Sequence, residues 1–275
     1  MKIKGIDTAA TVTAAAAEKL KAEGYSFAGR YLAPTTGASA WKGLRIAEAQ
    51  LLRDAGIAIL LIWETTALRA KSGSSGGSID GARAAVLAQE LGVPETAVIY
   101  FAVDFNAQKA DYSAVEAYLK AARSAVAPYS AGVYGSRSVC DEMQERGAVR
   151  YFMQCCAWSS GLSEHADVYQ WQWQEGAEAK EMAAKLGFAV DLCRARSTQS
   201  AGMWLPGYNH YDDGEGGVVM EPAANNTQGE PWYQDAMDWA KAEGLILDGR
   251  PNDPVTRAEL ATVLQRAFTK KEDAK

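Results

Sequence analysis

The strongest constraint on this chain is a repeated alternation of two patterns. Short apolar runs rich in Val, Ile and aromatic residues lie at 2–8, 26–32, 57–64, 97–104, 130–135, 150–158, 166–172 and 187–193. Helical patterns at 11–24, 45–56, 78–92, 111–126 and 136–147 separate most of them, and 178–187 supplies one more. Several stop at a glycine (Gly24, Gly56, Gly92, Gly147 and Gly187), a residue suited to the left-handed turn that ends a helix. Strand then helix, repeated, means parallel pairing through βα units. Runs that are apolar throughout are what parallel strands covered on both faces require. Eight such units in roughly 195 residues predict an α/β chain folded as a compact (β/α)8 TIM-like barrel. A doubly wound open sheet is the alternative, but no Gly-x-Gly-x-x-Gly turn supports dinucleotide binding.

The character changes after Cys193. Residues 197–230 are rich in Gly, Asn, Ser and Pro and read as a linker. Helical patterns at 232–244 and 256–268 follow, the second opening on a Thr256/Glu259 capping box. The expected organisation is a barrel at 1–196, a linker at 197–230 and a small α-helical module at 231–275. A chain of 275 residues, 48% hydrophobic and 23% charged, has enough apolar material for that core. Its net charge of −6 argues against a nucleic-acid partner, because phosphate binding needs a basic face. Nothing approaches the run of about 18 apolar residues that spans a membrane. The first residues, MKIKGIDTAA, carry no apolar leader, so a product made in the cytoplasm without a signal peptide is expected. The four cysteines form no Cys-x-x-Cys and read as buried reduced thiols. With only two histidines, no metal or other cofactor is expected.

Chemistry in such a barrel gathers at the C-terminal ends of its strands. Asp7, Glu64, Asp104 and Asp191 all stand at or near the ends of predicted strands, the first, third, fourth and eighth, and would converge on one mouth. Each acid also has a structural alternative. Asp7 can cap the following helix, Asp104 can hold an Asx turn, Asp191 can pair with Arg194, and Glu64 can be a solvated loop acid. Converging carboxylates suit glycoside hydrolysis, in which one acid stays protonated while another stabilises positive charge or activates a nucleophile. Arg30, Tyr31, Tyr134, Gln154, Trp158, Gln170 and Trp171 also lie near strand ends. They are the polar and aromatic groups a glycan groove needs, although Trp and Tyr also fill space between barrel and helices. The Gly/Ser-rich stretch 65–78 reads as a mobile loop able to close over a ligand, or as a plain linker.

The segments KGIDTA, GRYL, EAQLLRDAGIAILLIWE, IYFAVDF, GVYGS, QCCAWS and YQWQ…VDL together resemble a glycoside-hydrolase-like family first catalogued as a domain of unknown function. The resemblance covers residues 2–195. That family is similar to the glycoside hydrolase family 25 lysozymes, which cleave peptidoglycan on an unusually small barrel. Asp7 and Asp191 match acids of those lysozymes. Their fourth strand carries Asp-x-Glu, whereas this chain has Asp104-Phe105-Asn106. Asn106 cannot act as the general acid, and the resemblance implies that Glu64 replaces it, with Asp104 as its partner. The tail resembles a single S-layer homology repeat, with Arg257 and Glu259 matching its signature; Glu259 is equally a capping-box residue. The resemblance implies binding of a secondary cell-wall polymer, and a lone repeat points to self-association into a homo-oligomer.

Together these readings predict a peptidoglycan-degrading hydrolase, a lysozyme-like glycosidase of the bacteriophage endolysin kind. It would act as an antimicrobial agent of cell-wall degradation after release from the cytoplasm. The alternative is a non-catalytic wall-glycan-binding protein that keeps the groove without turnover.

Overall fold

The computed structural model describes residues 1–205 together with the backbone of 208–212 and 218–222. Eight strands close a barrel in chain order. They are β1 (Ile3–Asp7), β2 (Tyr25–Tyr31), β3 (Ala58–Trp63), β4 (Val98–Ala102), β5 (Ser130–Gly135), β6 (Tyr151–Cys155), β7 (Val168–Gln172) and β8 (Asp191–Ala195). Helices α1 (Ala14–Ala22), α2 (Ile46–Asp54), α3 (Gly73–Glu90), α4 (Tyr112–Ala125), α5 (Arg137–Glu145) and α6 (Ala177–Leu186) accompany them. The five glycines expected to end helices all adopt positive φ.

One strand departs from the expected pattern. β8 runs antiparallel to both of its neighbours, β7 and β1. The apolar run 187–193 spans two structures: residues 187–190 lead into the strand, and only then does β8 begin, at Asp191. An apolar run carries no direction, so parallel pairing could not be read from it. Asp191 nevertheless sits at the same mouth as the other acids, because the start of an antiparallel strand lies level with the ends of its parallel neighbours.

Alternate residues face opposite sides of the barrel wall. Phe27, Leu60, Ile62, Tyr100, Met153 and Cys193 belong to a core inside the barrel, and Ile59, Leu61, Phe101, Val133 and Leu192 to the larger core beneath the helices. Residues 201–204 seal the end where β3 and β4 start. Ile59 and Trp204 exchange backbone hydrogen bonds of 2.6 and 2.8 Å, and Val98 N donates to Gly202 O at 2.9 Å. The Tyr100 hydroxyl donates to Ala201 O at 2.9 Å. The opposite end is therefore the one left for a site.

The stretch 65–78 is not a mobile loop. It forms a 3₁₀ turn at Arg69–Ser72 and the first turn of α3. Arg69 Nε and Nη2 each donate to the fully buried Asp80 at 2.8 Å, and the Tyr118 hydroxyl donates to the same carboxylate at 2.8 Å. Gly77 in this stretch and Gly81 one turn beyond it serve close packing. A methyl at Gly77 would stand 2.0 Å from the Tyr118 carbonyl oxygen, and one at Gly81 would stand 2.5 Å from that of Ala122. Glycine lets α3 lie directly on the backbone of α4.

The helical module expected at 231–275, with Arg257 and Glu259, lies outside the described residues. Within the stretch read as linker, β9 (Tyr208–Asp212) and β10 (Val218–Pro222) pair antiparallel. Among the described residues no helix is long and apolar enough to cross a membrane.

Candidate active site

The period-2 alternation of the strands builds the site. Asp7 ends β1, Glu64 and Asp104 follow the ends of β3 and β4, and Asp191 opens β8. Each is two residues from a position inside the barrel, so the pleat directs all four inward. Asp7, Asp104 and Asp191 line a groove of about 890 Å³. Glu64 lines an adjoining pit of about 150 Å³, shared with Asp104, Asp191, Tyr31 and Tyr134.

The acids differ in their partners. Gln170 Nε2 donates to Asp7 Oδ2 at 3.1 Å and to Asp191 Oδ2 at 2.9 Å, and Gln174 N donates to Asp191 Oδ1 at 2.7 Å. Asp7 Oδ1 is buried without a hydrogen-bond partner. Burial first, and the charge of Asp191 second, push Asp7 up to about 8, against the hydrogen bond from Gln170. Burial likewise raises Asp191 to about 6, against the hydrogen bond from Gln174. Asp104 is raised by burial and then by the neighbouring Glu64, with Lys42 pulling the other way. Glu64 is the anion of an ion pair: Lys42 Nζ donates to its Oε2 at 2.6 Å. The same ammonium stands 4.5 Å from the centre of the Tyr31 ring.

None of the structural alternatives for the acids is what the structure shows. Thr13 caps α1, where its hydroxyl accepts from Ala16 N at 3.2 Å. The loop after Asp104 is held by Asp111, which accepts from Gln108 N at 2.9 Å. Arg194 stacks on Trp171 at 4.9 Å instead of pairing with Asp191. Asn106 is exposed, and its side-chain oxygen accepts from Gln108 Nε2 at 2.9 Å, away from the groove.

Tyr31, Tyr134, Trp158 and Gln170 line the groove as expected. Arg30, Gln154 and Trp171 do not, and the cause is parity: each neighbours an inward-facing residue on its strand and points the other way. Arg30 is fully buried beneath α2, donating to Glu48 at 2.6 and 3.1 Å and to Thr8 O at 2.5 Å. Gln154 braces the loop after β6, donating to Gly161 O at 2.9 Å and accepting from Ser163 N at 2.7 Å. Trp171 packs on the outer core under Arg194.

Sequence reading missed Trp41, Trp173 and Lys42. Trp41 and Trp173 lie in loops that follow strand ends, the usual place for a barrel's site, and that position was the available signal. With Trp158 they put three exposed indoles on the groove, at 68, 47 and 56% for Trp41, Trp158 and Trp173. Trp158 holds φ +53°, a conformation bulky residues rarely adopt, and local strain of this kind gathers at functional sites. Among the described residues no cluster of His, Cys, Asp and Glu is arranged to hold a metal ion.

Residues 18–192 match the family described as "Rv2525c-like, glycoside hydrolase-like domain". Two proteins of Bacillus subtilis, both described as uncharacterized, are similar. YbfG is 33% identical over 161 residues, 53% of this chain and 22% of that protein. FadG is 22% identical over 289 residues, 99% of this chain and 46% of that protein. The chain therefore spans less than half the length of either. Among solved structures, the Tat-secreted protein Rv2525c of Mycobacterium tuberculosis superposes with a TM-score of 0.63 at 23% identity, covering 74% of this chain and all of that one. That likeness shows a shared fold. Against the expected leaderless product made in the cytoplasm stands the description of that neighbour as Tat-secreted, so that expectation is withdrawn. An absent apolar run in the first residues was too weak a cue, and the free thiols, buried at Cys140, Cys155 and Cys193 but half-buried at Cys156, fit either compartment.

Proposed function

The chain belongs to the Rv2525c-like glycoside-hydrolase-like family, and from that premise we propose that it hydrolyses glycosidic bonds in peptidoglycan glycan strands. One observation carries the reading: Glu64, Asp104 and Asp191, from three different strands, meet in one pit opening beside a groove lined by three exposed tryptophans. Aromatic faces suit sugar rings, and paired acids with unlike environments suit acid-assisted cleavage.

The working pair in this proposal is Asp104 and Glu64. Lys42 is ion-paired with Glu64, and burial together with the neighbouring Glu64 raises Asp104. Asp104 then donates the proton to the leaving oxygen while Glu64 stabilises the positive charge that develops on the sugar, and water adds to the anomeric carbon and returns its proton to Asp104. This reverses the roles expected from family resemblance, in which Glu64 was the donor. Lys42 is the reason for the reversal, since a carboxylate held by an ammonium gives no support to a proton-donating role.

A second reading is glycan binding without turnover. It is favoured by Asn106, an exposed amide where the resembling lysozymes carry their acid. Co-sedimentation with Gram-positive cell walls, paired with release of reducing ends, separates the two. Wild type should bind and release, and Glu64→Gln should bind and release at least about 100-fold less. Binding with no release by wild type would establish the second reading.

A further inference from the structure

Gln170 occupies an unusual place for a groove residue. It is only 3% exposed, and its amide nitrogen lies between two acids, donating to both Asp7 and Asp191. Its amide oxygen accepts from the Tyr134 hydroxyl at 3.3 Å. All the polar capacity directed at those neighbours is consistent with one amide orientation: nitrogen toward the acids, oxygen toward the phenol.

The backbone sets the same two acids face to face. Asp7 and Asp191 are direct partners in the β1–β8 ladder. Thr8 fastens that junction from three sides. Its N donates to Gly29 O at 3.2 Å, its hydroxyl donates to Ala189 O at 2.8 Å, and its carbonyl accepts from Arg30. Two carboxylates paired across one rung and joined by one amide titrate as a unit, because the second charge is opposed by the first.

We propose that Gln170 is a positioning residue that holds Asp7 and Asp191 as one proton-sharing pair, and that it does not serve to recognise the glycan. The inference rests on the proposed hydrolysis only for its consequence: the pair sets the charge next to which Asp104 and Glu64 work. The raised titration of both acids, led by burial, agrees with this geometry.

The test needs no substrate. The side-chain carboxyl carbons of the aspartates are followed by NMR against pH in the full chain, for wild type, Gln170→Met and Gln170→Glu. Methionine keeps the volume and removes the donor that favours the ionised forms, so the pair's titration should move up by about one pH unit. Glutamate adds a third acid and should move it further. Tyr134→Phe frees the amide oxygen and should shift the pair in the same direction by less, which keeps the inference testable if the methionine variant does not fold. Unchanged titration of Asp7 and Asp191 in folded variants would overturn it. So would a variant whose only defect is a raised KM, since that is the mark of glycan recognition. Absence of hydrolysis in wild type would sink the proposed function while leaving the titration result intact.

Discussion

Replacing Arg30 by methionine should cost about 3–5 kcal/mol of barrel stability. Arg30 and Glu48 are 0 and 3% exposed, so neither charge is relieved by water. Removing the guanidinium deprives Glu48 of donors at 2.6 and 3.1 Å and leaves it only Val12 N, at 2.8 Å. It also strips the Thr8 carbonyl of its partner at 2.5 Å. A buried carboxylate left this way carries an uncompensated charge, and that dominates the loss. For a unit of about 200 residues the loss corresponds to a fall in Tm on the order of 10 °C. Urea unfolding followed by tryptophan fluorescence would measure it. Replacing both partners, Arg30→Met with Glu48→Met, should recover most of the stability, because the pair then leaves together. A single variant losing less than about 1 kcal/mol, or a double variant as unstable as the single, would refute the reasoning. A single variant of normal stability with a raised KM would instead restore Arg30 as a substrate contact.

Other outcomes follow from the same structure. Gly77→Ala should destabilise by about 1–3 kcal/mol in urea, since its methyl meets the Tyr118 carbonyl oxygen at 2.0 Å. Asp7 is raised from 3.8 to about 8, so the folded state binds more protons than the unfolded one between those values. Stability should therefore fall as pH rises through that window, and Asp7→Asn should flatten the fall by on the order of 2–5 kcal/mol in urea midpoints compared at pH 4 and pH 8. Trp158→Ala should weaken binding to glycan fragments about 10-fold by calorimetry while leaving the urea midpoint within about 0.5 kcal/mol, because the indole is half-exposed on the groove.

Most of the barrel was legible because its central strands β3 and β4 are buried on both faces and five of its six helices end on glycines. Direction was not. An apolar run reads the same both ways, so the antiparallel β8 was hidden, although Asp191 reached the correct mouth regardless. Site residues were legible only to within one position along a strand. Tyr31, Tyr134 and Gln170 fell on the inner face, and their neighbours Arg30 and Trp171 on the outer one, a distinction set by register. The stretch 65–78 misled because glycine marks both a loop and a close helix contact, and only the facing backbone of α4 tells them apart. Lys42 gave no local signal, since its pairing with Glu64 joins residues brought together by the fold.

The most direct test is the rate at which wild type and Asp104→Asn release reducing ends from purified peptidoglycan glycan strands. Wild type should release them steadily. Asp104→Asn should release them about 100- to 10,000-fold more slowly with binding retained, the loss expected when a general acid is removed. Undiminished release by Asp104→Asn, or none by wild type that binds the strands, would contradict hydrolysis by the strand-end acids.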